Sequence, residues 1–260
     1  NFRYGFLSEC LIDLDNSLRQ IGSGLLIVRG KPEIELPKLV KQYNIDCIYC
    51  KKEVAPEERE IDQKVEAAVW KELCRFEQFS TSTLYHALDL PFPVQKIPDV
   101  FTEFRKKIEK ETAVRNVFAV PTKISSPKIH ALVLPDISII GLKSIEKDKR
   151  NSYPFIGGES EALKRLNFYL FEKHLISTYK ETRNELIGED YSSKLSGWLA
   201  LGCISPRFIY QEIKKYEHDV ESNESTYWLI FELLWRDYFR FMMKKYRNQF
   251  FLKKGIKKDV

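Results

Sequence analysis

The apolar pattern of this chain changes character once, and that change restricts its fold more than any other feature. Before about residue 88, helical and extended periods alternate. Phe2 to Leu18 places apolar residues at 7, 11, 14 and 18, the spacing of a helix with one buried face. Gly24-Leu25-Leu26-Ile27-Val28 is a short apolar run closed by Gly30 and predicts a strand. Pro32 to Tyr43 predicts a helix, Ile45 to Cys50 a second strand, Glu57 to Cys74 a charged helix, and Arg75 to Phe79 a third strand. Strands separated by helices run parallel through crossovers, so residues 1–87 are expected to form a Rossmann-like α/β domain. Its customary first strand is missing, so the domain is expected to be incomplete. Residues 88–154 are rich in proline and read as an interdomain connector wrapped on a surface, with one helix at Val100 to Lys110. After Gly157-Gly158 only helical patterns occur: Glu159 to Phe171, Ser193 to Gly202, Pro206 to Tyr216 and Ser225 to Tyr246. The expected class is therefore α/β plus all-α, with residues 155–260 forming part of a helical domain.

A chain of 260 residues that is 43% hydrophobic can bury real cores, and 30% charged with 13% aromatic residues excludes disorder. No run of about 18 apolar residues exists to span a membrane. The five cysteines are odd in number and scattered, which suits free thiols in a reducing intracellular compartment. That means cytoplasm in a bacterium, or an organelle or nucleus in a eukaryote. Cys47 and Cys50 fall three apart on a predicted strand, so their thiols point to opposite faces, and no second Cys or His pair follows at zinc spacing. No metal is expected. The net charge is +5, but Arg236, Arg240, Lys244, Lys245, Arg247, Lys253, Lys254, Lys257 and Lys258 have only Asp237 among them. Such a run suits a phosphate backbone and equally a solvated helix face with a loose tail.

Two segments carry distinct chemistry. In Asp190-Tyr191-Ser192-Ser193-Lys194-Leu195-Ser196-Gly197-Trp198-Leu199, three serines and a lysine precede an apolar helical run. A helix start offers unpaired N–H groups and partial positive charge to a phosphate, and one serine can equally serve as a plain N-cap. In Trp228-Leu229-Ile230-Phe231-Glu232-Leu233-Leu234-Trp235-Arg236, helical spacing stacks indole, carboxylate and indole on one stripe edged by a guanidinium. A buried carboxylate needs a partner, so Glu232 either pairs with Arg236 within a core or lines a cavity where Trp235 stacks a flat ligand. Tyr179 and Arg183, at i and i+4, put a phenol and a guanidinium on one face.

Taken in order, Gly157-Gly158-Glu159, Tyr179-Lys180-Glu181-Thr182-Arg183-Asn184, Tyr191 to Ser196, Leu201-Gly202-Cys203-Ile204-Ser205-Pro206-Arg207, and Glu232 to Arg240 resemble the FAD-binding domain of the photolyase/cryptochrome family. Ser225 to Glu232 and Asp99 to Lys106 are similar to the DASH branch. The resemblance covers essentially the whole chain and implies a fragment lacking both ends of the family's fold. It further implies that Tyr179, Ser192, Ser193, Lys194, Leu195, Ser196 and Arg236 serve FAD, the serine stretch as a diphosphate cradle. Arg183 would meet a DNA phosphate. Glu232 would bind pyrimidine bases and Trp235 stack on them, with Leu233, Leu234, Arg236, Asp237, Tyr238 and Phe239 shaping the DNA-facing cavity. Many members carry a folate antenna, 5,10-methenyltetrahydrofolate. The stretch Glu53 to Glu58 is similar to one bearing a pterin-contacting carboxylate, which makes Glu57 and Glu58 its candidates, although a helix start enriched in Glu reads the same way. The implied activity is that of a deoxyribodipyrimidine photolyase, a carbon–carbon lyase: blue-light repair of cyclobutane pyrimidine dimers, in single-stranded or looped DNA, by a monomer. A blue-light photoreceptor without repair is the alternative, and an inactive nucleic-acid-binding remnant a third.

Overall fold

The structure, a computed structural model, describes residues 2–129, 132–134, 153–186 and 188–256. The 135–152 stretch of the expected connector, and Lys257 and Lys258 of the basic tail, lie outside the described residues. The chain forms two compact units, one of residues 1–27 and 116–231, the other of residues 28–115 and 232–260.

The second unit holds the α/β part. Its elements are α2 (Pro32–Tyr43), β1 (Cys47–Lys51), α3 (Pro56–Trp70), β2 (Arg75–Phe79) and α4 (Phe101–Glu111). Pro32 and Pro56 open α2 and α3 at the first helical positions, where a missing N–H costs nothing. Asn44 ends α2 in the left-handed conformation (φ 51°) and returns its N–H to the Val40 carbonyl. After α3, Leu73 turns the chain at φ 60°, and Cys74 donates back to the Val69 carbonyl, aiming Arg75 into β2. The two strands pair in parallel, from Cys47 opposite Arg75 to Lys51 opposite Phe79. Val40, Val65, Val69 and Cys74 close the core beside them, with Leu36, Ile45, Ile48 and Phe76 packed against it. A second core joins Phe101, Phe104 and Ile108 of α4 to the later turns of α9 (Glu224–Tyr246), where Tyr238 and Phe241 meet the Phe104 ring.

The strand expected at Gly24 to Val28 is not formed. The Leu25 N–H donates instead to the Asp15 carboxylate at 2.8 Å, and Arg19 holds that carboxylate from the other side at 2.7 Å. An amide taken by a side chain cannot join a ladder. The sheet of the described residues therefore has two strands where the sequence predicts three.

The first unit is helical: α1 (Phe2–Gln20), α5 (Glu159–Asn167), α6 (Tyr179–Thr182), α7 (Ser196–Leu201), α8 (Pro206–Asp219) and the opening turns of α9. The helix expected to run from Glu159 to Phe171 widens into a π turn over Phe168–Glu172. Gly157 and Gly158 fasten α5 to α1, donating their N–H groups to Glu9 Oε2 (2.6 Å) and Cys10 Sγ (3.2 Å). Ser160 adds both its N–H and its hydroxyl to Asp13. A Cβ at Gly157 would lie 2.2 Å from the Phe6 carbonyl oxygen and 2.8 Å from the Cys10 nitrogen, so only glycine permits this approach. These contacts put α1 with the helical elements, whereas the sequence pattern groups it with the strands after it. Long-range hydrogen bonds, invisible to local periodicity, decide the grouping.

Because the obstacle at Gly157 is backbone, Gly157→Ala should cost about 1–3 kcal/mol, the usual range for overpacking. The midpoint of denaturant unfolding checks this, with Gly5→Ala, where a Cβ meets nothing within 4 Å, as the control.

Candidate functional site

Arg165 organises the serine segment. It lies on α5 with 4% of its surface exposed, and its guanidinium is ringed by Tyr153, Phe168 and Tyr169 at 4.8–5.4 Å from the ring centres. A buried cation needs acceptors. Nη2 donates to the carbonyls of Glu189 (2.7 Å) and Ser192 (3.1 Å), Nε to the carbonyl of Ser193 (3.2 Å), and Nη1 reaches Asp190 Oδ1 at 3.4 Å. A trans peptide sets its N–H opposite its C=O. With the carbonyls of Ser192 and Ser193 drawn onto the guanidinium, the N–H groups of Ser193 and Lys194 point away from it. Lys194 is left-handed (φ 59°) and Leu195 right-handed, the alternation that curls successive N–H groups into an anion-binding nest.

Helix α7 starts at Ser196 with Leu195 at its N-cap and no side-chain cap, so no serine hydroxyl serves the plain capping role. Ser193 is buried and Ser192 half-buried, while Ser196 is exposed and borders a hollow of about 390 Å³ with Arg3, Phe6, Tyr153, Phe155 and Gly197. N–H groups turned from the guanidinium, serine hydroxyls without a partner among the described residues and an adjacent lysine fit the diphosphate of a dinucleotide. The Leu195 side chain, in contrast, is packed in the core at 3% exposure, leaving only its backbone to such a cradle.

Tyr179 opens α6, buried, with its ring edge-on to Tyr169 at 6.3 Å. The Tyr169 hydroxyl is buried and has no hydrogen-bond partner among the described residues, and burial pushes its pKa up. Thr182 of α6 donates to the Tyr191 carbonyl at 2.9 Å, tying the Tyr179 turn to the serine segment. Arg183 lies over the Trp228 indole at 5.4 Å, and Lys180 over the same ring at 4.9 Å.

The Glu232–Phe239 stripe belongs to the other unit. Trp235 is half-buried and stacks face to face on Phe101 (3.6 Å, 12°), with Phe239 at 5.5 Å and half exposed. Glu232 is half-buried. Arg236 donates Nη1 to the Ser82 carbonyl, and burial lowers its pKa. Asp237 is fully enclosed: its two oxygens accept the N–H groups of Leu84 and Tyr85, each at 2.9 Å, and burial pushes its pKa up to about 7. Tyr238 is buried and donates its hydroxyl to the Asp99 carbonyl at 2.6 Å. Leu233, Leu234, Asp237 and Tyr238 were expected on a DNA-facing cavity. All four are instead buried, the leucines as apolar side chains and Asp237 and Tyr238 because backbone groups are there to pair with them.

Glu57 and Glu58 are exposed in the first turn of α3, facing solvent at a helix start. The acid that does enter a cleft is Glu53. It is half-buried and accepts from Lys51 (2.6 Å) and Arg240 (3.0 Å), while Lys52, Arg59, Gln95, Lys244 and Arg247 line the same cleft of about 250 Å³. Burial, then neighbouring Lys52 and Arg59, lower the pKa of Lys244. Sequence reasoning missed Arg165 and Phe101. Phe101 lies within a segment flagged by resemblance, but nothing local marks Arg165 as a buried hub.

A family model described as DNA photolyase matches residues 1–126. Cryptochrome DASH of Danio rerio is 44% identical over 259 residues, covering 98% of this chain and 50% of the relative. Cryptochrome DASH of Gloeobacter violaceus is 42% identical over 257 residues, covering 98% and 51%. The crystal structure of a Synechocystis cryptochrome superposes with a TM-score of 0.92 at 42% identity, over 98% of this chain and 53% of that one. The chain spans about half the length of the curated relatives it matches. No helix among the described residues is long and apolar enough to cross a membrane.

Arg165→Ala should destabilise the helical unit by about 3 kcal/mol, since it strips acceptors of a buried charged donor. Arg165→Lys should not restore the fork. Asp237→Ala orphans two N–H groups and should cost about 2–3 kcal/mol, read from denaturant midpoints.

Proposed function

This chain belongs to the DNA photolyase and cryptochrome family, with DASH cryptochromes among its relatives, and from that footing we propose that the protein carrying it repairs cyclobutane pyrimidine dimers in single-stranded or looped DNA, using blue light and FAD. The observation that carries this reading is the serine segment, whose carbonyls Arg165 collects, turning the N–H groups of Ser193 and Lys194 away from the guanidinium. When bound and reduced, FAD would supply the light-driven electron that opens the cyclobutane ring and take it back once the dimer has split. The protein's part is binding, orientation and exclusion of water. Ser192, Ser193, Lys194 and Ser196, with the backbone at Leu195, hold the diphosphate. Tyr179 packs on the cofactor side of α6, and Arg183 meets a DNA phosphate. Glu232 accepts hydrogen bonds from the pyrimidines, and Trp235 stacks on a base extruded from the strand. Single-stranded DNA suits this arrangement because extrusion costs least where no pairing is broken. Glu53, rather than Glu57 or Glu58, is the carboxylate we assign to a pterin antenna, and the cations of its cleft suit the glutamate tail of a folate.

A blue-light photoreceptor without repair is the second reading. It is favoured by Trp235, one face of which Phe101 already covers.

The deciding experiment exposes an ultraviolet-damaged single-stranded oligonucleotide to blue light with the flavin-loaded protein. Light-dependent loss of dimers is expected, and intact dimers with a normal flavin spectrum would favour the photoreceptor. Trp235→Ala should weaken lesion binding by roughly 1–3 kcal/mol, the scale of base–aromatic stacking, with flavin content kept. Replacing Ser193 and Ser196 with Ala should lower flavin occupancy instead, read from the flavin-to-protein absorbance ratio.

A further inference from the structure

Two thiols meet in the helical unit at a place the proposed flavin and DNA chemistry does not use. Cys10 lies on α1 and Cys203 follows α7, 193 positions apart, and their Sγ atoms are 3.4 Å from each other. Both are free. We propose that Cys10 and Cys203 form a redox staple: a hydroperoxide oxidises Cys203, and Cys10 then closes an intrachain disulfide joining α1 to the turn between α7 and α8.

The arrangement assigns the two sulfurs different roles. Cys203 is half-buried and within reach of a small oxidant, whereas Cys10 is 8% exposed. Burial, reinforced by the facing Cys203, pushes the Cys10 thiol up to about 12, so Cys10 is not the first target. The Gly158 N–H donates to Cys10 Sγ at 3.2 Å and helps fix that sulfur on its side of the contact. A disulfide bond is about 2.05 Å long, so the sulfurs need only a short approach from contact. Cys203 follows Gly202, whose left-handed φ of 77° closes α7, and the Cys203 N–H donates back to the Trp198 carbonyl at 2.9 Å. Cys47, Cys50 and Cys74 belong to the other unit and do not enter this contact.

The chemistry balances in two steps. The Cys203 thiolate attacks the peroxide, the O–O bond breaks, and Cys203 becomes a sulfenic acid as water (or the alcohol of an organic hydroperoxide) leaves. The Cys10 sulfur then attacks the Cys203 sulfur, the S–O bond breaks, and the Cys10 proton departs with hydroxide as a second water. The two thiols lose two electrons and the peroxide gains two. The product ties α1 to the far end of the helix whose start carries the serine segment. Closing so long a loop restricts the unfolded chain and raises the unfolding temperature.

The test treats the reduced, full-length protein with hydrogen peroxide, blocks remaining thiols by alkylation, and maps an unreduced digest by mass spectrometry. A linked peptide pair containing Cys10 and Cys203 is expected, abolished by dithiothreitol, together with a higher unfolding temperature that dithiothreitol reverses. Cys10→Ser should accumulate a dimedone-trapped sulfenic acid at Cys203, and Cys203→Ser should leave Cys10 open to alkylation. Alanine variants repeat the comparison where a serine variant folds poorly. The proposal is overturned if Cys203 passes to sulfinic acid while Cys10 stays free, or if Cys10 is lost in Cys203→Ser. It is equally overturned if both thiols survive a peroxide dose that oxidises free glutathione.

Discussion

A guanidinium cut off from water must find acceptors, and in the helical unit that requirement falls on Arg165. Its nearest acceptors are main-chain carbonyls of a segment with no regular structure of its own before α7. Once those carbonyls are engaged, planarity of the peptide fixes where the matching N–H groups go. The serine hydroxyls and the lysine charge then act around a backbone already oriented. The diphosphate cradle proposed for this segment is in this sense a consequence of a cation one helix away, held within a shell of aromatic rings.

Asp237 does the converse in the other unit. A fully enclosed carboxylate takes the N–H groups of Leu84 and Tyr85, and the neighbouring Arg236 takes the Ser82 carbonyl. One turn of α9 thereby pins the loop after β2 from both polarities. Its price is the desolvation that pushes the Asp237 carboxyl toward neutrality. The residues around Trp235 are therefore of two kinds. Some anchor the loop, and Trp235 and Phe239 keep their rings partly open to solvent.

Much of this was legible in the residues themselves. The helix positions, including the start of α2 at Pro32 and of α8 at Pro206, follow from proline at N1 and from apolar spacing, which are local properties. The ordered motifs from Gly157 to Arg240 sufficed to suggest the family that the comparisons then supported. The strand expected at 24–28 failed because a ladder needs a neighbour, and the Leu25 amide had found Asp15. Glu57 and Glu58 were candidates by similarity, with a Glu-rich helix start as the equal reading; both are exposed there, and Glu53 lines a cleft, which similarity alone does not say.

The sequence by itself determined most helical segments and the two strands that formed, the glycine pair and the serine-bearing turn, because these depend on residues a few positions apart. Tertiary structure alone decided that α1 joins the later helices through Gly157, that Arg165 and Asp237 are buried, that Phe101 covers one face of Trp235, and that Cys10 meets Cys203. Each of those facts is a contact between residues far apart in the chain, and periodicity carries no information about which distant surface will exclude water from a given side chain.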